Sequence, residues 1–194
     1  PIFNKEERIV GGNGQDYWRS TTKIPLFDQK GEVTGLIGIN HDVTAAKNAA
    51  DALRQAAAQN QLLAQAVDAA SDGVLITDAR HPDNPIIYAN PAFTRITGYS
   101  TQEVLGRNCR FLQGPETDPA ELAKLRRAIA EERSVAISVL NYRKDGRIFW
   151  NELAISPVFS DEGELTHFVG VQTDSSERRQ TARTLQAVLD TIYY

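Results

Sequence analysis

Gly106-Arg107-Asn108-Cys109-Arg110-Phe111-Leu112-Gln113-Gly114-Pro115-Glu116-Thr117-Asp118 is the stretch that decides the reading of this chain. It holds the only cysteine among 194 residues, set between two arginines, with the carboxamides Asn108 and Gln113 close by. Turn-forming glycines bracket it, so the segment is too short for an ordinary core helix. A lone cysteine reads either as a small buried hydrophobe or as a thiol activated by neighbouring positive charge. Guanidinium groups on a short helical turn also suit a phosphate.

Downstream, three β-rich runs cover 135–143, 147–159 and 165–173. Residues two apart on a strand share a face. One face therefore carries Ile137, Val139 and Asn141, another Asn151, Leu153 and Ile155, and a third Phe168, Gly170 and Gln172. Each set places one amide among apolar neighbours. A buried amide can be satisfied by backbone, but three on one sheet are costly without partners and argue for a shared polar-edged ligand. Upstream, Gly73 to Asp78 reads as a strand and Ile86-Ile87-Tyr88 as its hairpin return. Pro91 opens a short helix, Ser100-Thr101-Gln102-Glu103 is a capping box, and Asp118-Pro119-Ala120-Glu121 starts a longer helix through about Glu131. Strand pair, small helices, then three strands make an α+β arrangement with one antiparallel sheet.

The quoted segment resembles the signature of LOV (light-oxygen-voltage) domains, the flavin-binding branch of the PAS superfamily. The match is contiguous from Gly106 to Asp118 and looser from about Ala69 to Asp174. The resemblance implies a PAS fold: a five-stranded antiparallel sheet with short helices over one face, flanked by coiled-coil-like linker helices. It implies bound flavin mononucleotide (FMN) and a reversible photochemical bond from Cys109 to flavin C4a. It assigns Asn141 and Asn151 to the pyrimidine edge, Gln172 to the ring carbonyl and N5, and Asn108 and Gln113 to the ribityl chain or ring. Arg110 and Arg126 are assigned to the phosphate, and Leu153, Ile155 and Phe168 to the ring faces. Thr77 and Asn84 are expected to line or border the pocket. The chain then senses blue light and signals through the last strand, with Gln172 rotating its amide as N5 turns from acceptor to donor.

Composition narrows the partners. A formal net charge of −4 and pI near 5.4 give no basic field, which argues against direct nucleic-acid binding. One cysteine excludes an intramolecular disulfide framework or thiolate cluster and fits a reducing, cytoplasmic compartment. His41, His81 and His167 lack ligand spacing, so no metal site is expected. No apolar run reaches membrane-spanning length and no signal peptide is present. A chain that begins at Pro1 and has no methionine reads as a piece of a larger protein.

Tyr17 to Thr44 repeats Phe149 to Ser176 at a constant offset of 132 positions: Trp18 matches Trp150, Pro25 Pro157, Gly31 Gly163 and Asp42 Asp174. Such a repeat implies two related domains, the first represented by its last part. Four segments follow: 1–44, the C-terminal part of a truncated PAS domain; 45–70, a linker helix; 71–175, the LOV domain; and 176–194, a signalling helix. The first segment is predicted as a hairpin without a sheet partner, marginal by itself. It has Arg19 and Asn40 where the second has Asn151 and Gln172.

In the linker, Ala46, Ala49, Leu53, Ala56, Asn60, Leu63, Val67 and Ala70 keep 3-4 spacing. This is either a homodimeric heptad seam with Asn60 setting register or a surface helix on its own domain. Thr181, Leu185, Val188 and Ile192 continue the spacing in the last helix, which is expected to lead to an effector, a histidine kinase or cyclic-dinucleotide enzyme. Two other classes compete with the sensor. A thiol enzyme needs a base near Cys109, and no histidine lies in that segment. A non-photochemical PAS ligand-binding or dimerisation module does not require Cys109 together with both arginines.

Overall fold

The computed structural model of the chain describes residues 3–10 and 16–193. Pro1, Ile2, residues 11–15 and Tyr194 lie outside the described residues, as do the side chains of Phe3, Ile192 and Tyr193. The predicted seam position at Ile192 and the end of the predicted C-terminal helix therefore go undescribed. The chain divides into two compact units, Pro1–Leu63 and Ala64–Tyr194.

The first unit corrects the expected hairpin. It is a three-stranded antiparallel sheet of β1 (Phe3–Val10), β2 (Asp16–Phe27) and β3 (Val33–Asp42), with β2 in the middle. The sequence of β1, FNKEERIV, has almost no apolar face, so periodicity gave it no signal. Ladder hydrogen bonds and cross-strand ion pairs hold it instead, among them Arg19–Glu7 at 2.9 Å. Helix α1 (Thr44–Asp68) follows. It has no buried residue, and Leu53 and Leu63 are 72% and 58% exposed, so the middle turns of α1 leave their apolar side chains open to solvent.

The second unit opens with β4 (Gly73–Asp78) and β5 (Ile86–Ala89). Three helices follow, α2 (Pro91–Thr97), α3 (Thr101–Val104) and α4 (Pro119–Ala130), with a 3-10 turn, Cys109–Leu112, between the last two. Strands β6 (Val135–Tyr142), β7 (Ile148–Phe159) and β8 (Leu165–Asp174) complete one antiparallel sheet in the order β5-β4-β8-β7-β6, and α5 (Ser176–Tyr193) leaves it. The α+β architecture is the one the sequence implied.

Sequence accounts for the helix starts. Asn90 caps α2, accepting from the Phe93 N–H at 3.0 Å ahead of Pro91. Ser100 and Glu103 form the capping box of α3, and Asp118 caps α4 through the Ala120 N–H at 2.8 Å. Asn90 is fully buried and does more than cap. Its Nδ2 donates to the carbonyls of Val67 and Asp72, and its Oδ1 also accepts from the Val74 N–H at 2.8 Å. One side chain thereby ties the last turn of α1, the start of β4 and α2. The core beneath α2 and α3 is Leu75, Ile86, Ala89, Phe93, Val104 and Leu112.

Candidate functional site

The strand alternation read from sequence holds. In β6, Ile137, Val139 and Asn141 are buried; in β8, Phe168, Gly170 and Gln172; in β7, Phe149 and Asn151, with Leu153 and Ile155 partly so. This face floors a cavity of about 100 Å³ with a mostly apolar lining, the kind of lining that small-molecule pockets have. Leu75 and Thr77 of β4 line one side, and Val139, Asn141, Leu153, Ile155, Phe168, Gly170 and Gln172 the floor. Leu122, Leu125 and Ile129 of α4 cover it, and Asn84, Asn108, Cys109, Arg110, Leu112 and Gln113 form the remaining wall. Gly170 keeps the floor low: a Cβ there would lie 3.1 Å from Leu75 Cδ1.

The cysteine turn is held from three directions. Gly106 takes a left-handed φ of 77° and exchanges backbone hydrogen bonds with Ile86, Gly106 N to Ile86 O and Ile86 N to Arg107 O, both 2.8 Å. Asn108 accepts from the Arg110 N–H at 3.0 Å and donates to the Asp83 carbonyl at 2.6 Å. Phe111 packs edge-on against Tyr99, ring centroids 4.9 Å apart. Beyond the turn, the Thr117 hydroxyl donates to the Leu140 carbonyl at 2.6 Å, and the Tyr142 hydroxyl accepts from the Glu116 N–H at 3.0 Å. The loop carrying Gln113 is thus clipped to β6.

The arginines do not activate the thiol. Arg107 stacks over Phe111 at 4.3 Å and Arg110 pairs with Asp83 at 2.6 Å, while burial pushes the Cys109 thiol up to about 12. At neutral pH the sulfur is a protonated, desolvated thiol, which removes a ground-state thiolate nucleophile.

The amides divide into paired and orphaned atoms. Asn151 Nδ2 donates to Asn141 Oδ1 at 2.8 Å, and Asn141 Nδ2 donates to the Leu140 carbonyl at 3.1 Å. Asn151 Oδ1 and Gln172 Oε1 are buried without a hydrogen-bond partner, although both residues are at most 2% exposed. A buried acceptor left bare costs about 1–3 kcal/mol. One of them, Gln172 Oε1, belongs to the cavity lining and the other to the residue behind Asn141, and a bare acceptor there fits a ligand with an N–H-bearing polar edge.

Two predicted site residues sit apart from the lining. Asn151 stands behind it, reaching the cavity through Asn141. Arg126 is exposed on α4, at the edge of the stripe of Leu122, Leu125 and Ile129 and one turn after Leu122. Sequence reasoning missed the α4 ceiling, although Leu122, Leu125 and Ile129 have 3-4 spacing. Asn84, which lines the cavity, has a φ of 44°, a backbone state that favours Asn over most residues.

The first unit repeats the last three strands of the second at the same 132-residue offset, with matching bounds and register; Arg19 pairs with Asp42 as Asn151 does with Asp174. On its corresponding face Arg19 bonds Glu7, the counterpart of Val139, and the Thr21 hydroxyl donates to Asn40 Oδ1 at 2.8 Å. The Arg19 hydrogen bond, aided by Lys5, holds the Glu7 carboxyl down at about 2. An ion pair stands where the second unit has its apolar floor.

A five-stranded antiparallel sheet in this order, with short helices closing a cavity over one face, defines a PAS-type sensory fold. The chain belongs to the PAS domain family: the PAS domain model matches residues 71–177, and a PAS fold model matches residues 2–48. Its structural neighbours are LOV domains. A structure described as "Flavin Analogue Sheds Light on Light-Oxygen-Voltage Domain Mechanism" is 43% identical with a TM-score of 0.57, over 66% of this chain and 95% of that one. An RNA-binding Light-Oxygen-Voltage receptor, 24% identical, shares the fold with a TM-score of 0.61 over 98% of this chain and 82% of that one.

Among sequence relatives, a blue-light-activated histidine kinase of Rhizobium johnstonii is 50% identical over 122 residues, 63% of this chain and 35% of that protein. The bacterioopsin transcriptional activator of Halobacterium salinarum is 39% identical over 175 residues, 80% of this chain and 26% of that protein. The chain thus spans about a third or less of these curated relatives. Among the described residues, no helix is long and apolar enough to cross a membrane.

Proposed function

We propose that this chain is a blue-light sensor module that binds FMN. The observation that carries the reading is the bare buried acceptor Gln172 Oε1 on the lining of the cavity that also holds the lone Cys109, with a second bare acceptor, Asn151 Oδ1, on the residue that bonds the lining Asn141. When bound, the flavin supplies blue-light absorption and the electrophilic ring carbon C4a. Cys109 would contribute the sulfur of a reversible covalent bond to that carbon, its S–H proton passing to flavin N5, starting from a neutral thiol. Asn141, Asn151 and Gln172 hold the polar edge, and Leu153, Ile155 and Phe168 the faces. Thr77, Asn84, Asn108 and Gln113 border the remainder. Arg110 takes the phosphate by exchanging its exposed Asp83 partner, an ion pair cheap to break at such exposure; Arg126 joins it by turning inward from its exposed position.

Gln172 presents an oxygen or a nitrogen according to the hydrogen-bonding state of its partner, since the two ends of its amide are nearly isosteric. It pairs across the sheet with Gly73 and Leu153 and lies two residues before Asp174, where β8 gives way to α5. A rotated amide therefore acts on the junction to the last helix. The module comprises 71–175, with 1–44 a partial PAS domain, 45–70 a linker and 176–194 a signalling helix. The linker helices pair two copies, and a histidine kinase or cyclic-dinucleotide enzyme reads the signal; the module itself turns over no substrate. Chain purified with FMN is expected to be yellow, with a structured blue band that bleaches under blue light and recovers in the dark. Cys109→Ala is expected to stay yellow and not bleach. A protein that takes up no flavin would sink the proposal and favour a plain PAS module.

A further inference from the structure

The 132-residue offset extends past the sheets into the helices that leave them. Trp18 N donates to Thr44 Oγ1, and Trp150 N to Ser176 Oγ, both at 2.8 Å. The Trp18 and Trp150 carbonyls accept from Val43 N and Ser175 N, both at 2.9 Å. One turn further, the matching residues are Lys47 and Arg179. Lys47 Nζ sits 5.4 Å from the Trp18 ring centroid, and the Arg179 guanidinium 4.1 Å from that of Trp150. Each cation also finds a carboxylate, but not the same one: Lys47 pairs with Glu6, and Arg179 with Glu152 at 2.7 Å.

The counterpart of Glu6 is Ser138, and that of Glu152 is Ser20. Glu6 faces Ser20 across β1 and β2, and Ser138 faces Glu152 across β6 and β7. Each sheet therefore offers one Glu and one Ser at the same cross-strand position, in opposite order, and the cation reaches the acid in both. In the second unit Arg179 also donates to Ser138 Oγ at 2.7 Å, and the Ser175 hydroxyl to Glu152 at 3.0 Å. What is kept between the two copies is an arrangement of cation, indole and acid on the sheet face opposite the cavity.

We propose that Lys47 and Arg179 are equivalent positioning residues, each fastening the first turn of an outgoing helix to its own sheet so that the helix follows that sheet. A half-exposed ion pair and a cation–π contact together are worth about a factor of ten in a local opening equilibrium. This suits a latch that a small change in the sheet can shift.

The test is hydrogen exchange on the full 194-residue chain. In the dark, Arg179→Ala and Glu152→Ser are each expected to speed exchange of the Gln180–Arg183 amides about tenfold, and Lys47→Ala that of the amides just after residue 47. The relocated acid, Ser138→Glu with Glu152→Ser, is expected to return exchange to within about threefold of the parent, because the first unit uses that order. Exchange as fast in the relocated variant as in Glu152→Ser, or an unchanged Arg179→Ala, would overturn the proposal. A second arm rests on the sensor reading. FMN-loaded Arg179→Ala is expected to bleach normally yet lose the light-minus-dark exchange difference in α5, whereas retention of that difference refutes the coupling role. A colourless protein defeats the sensor reading alone and leaves the dark comparison to decide.

Discussion

Replacing Gly114 with alanine places a methyl group against an aromatic ring that is not free to leave. A Cβ at Gly114 would lie 2.3 Å from Tyr142 Cε2, 2.5 Å from Cδ2 and 2.8 Å from Cζ. The ring is held because its hydroxyl accepts from the Glu116 N–H at 3.0 Å, two residues beyond Gly114. Relief requires moving either the ring or the loop. Overpacking of this kind costs about 1–3 kcal/mol, and the lost hydrogen bond adds about 0.5–1.5 kcal/mol. Gly114→Ala is therefore expected to destabilise the second unit by about 2–4 kcal/mol, lowering its Tm by roughly 10 °C, as read by chemical and thermal denaturation followed by circular dichroism. Tyr142→Ala removes the ring the methyl strikes, so the double variant is expected to be no less stable than Tyr142→Ala alone, a coupling of about 2 kcal/mol. A Gly114→Ala protein within about 0.5 kcal/mol of the parent, or two losses that simply add, would refute the reasoning.

Gln172→Leu removes an acceptor that has no protein partner, so the flavin-free protein is expected to be as stable or more so, while flavin retention falls about tenfold, measured by denaturation and by titration with FMN. Asn90→Ala removes, from a fully buried side chain, the partner of the Val74 N–H and the Asp72 carbonyl, while the Phe93 N–H and the Val67 carbonyl keep only their longer backbone contacts to Asn90 O and Ala70 N. A loss of about 3–5 kcal/mol is expected, with faster exchange in the last turn of α1. Hydrogen bonds from the Arg80 side chain hold the Asp78 carboxyl down at about 2 against its ordinary 3.8. A carboxylate lowered in the folded state stabilises above its unfolded value and loses that stabilisation as pH falls through the folded one. Tm is therefore expected to drop between about pH 4 and pH 2, and Asp78→Asn to shrink that drop. Glu103, held near 2 by Lys144 and Ser100, keeps part of it.

Local chemistry wrote much of this fold into the sequence. Alternation on β6, β7 and β8 placed Asn141 and Gln172 on the cavity face because side-chain direction on a strand has period two, whatever the strand pairs with. Capping residues set the starts of α2, α3 and α4 for an equally local reason: a side-chain oxygen satisfies an N–H two or three residues on. The repeat, too, was legible, and with it the contrast between Arg19 and Asn151.

Tertiary structure decided what depends on partners distant in sequence. β1 exists because β2 offers it a register and counter-ions, not because FNKEERIV has a strand's apolar face. Cys109 lies between two cations in sequence, yet their side chains turn to Phe111 and Asp83, and burial raises its pKa instead. Arg126 and Arg110 are equally eligible for an anion in the sequence, and only the fold sets Arg110 beside Asp83 at the cavity wall and Arg126 exposed at the edge of the α4 stripe. Asn90 reads as a helix cap, and only the fold brings the Val67 carbonyl to its amide, since which buried groups meet is settled by packing and desolvation across the whole unit rather than by neighbours along the chain.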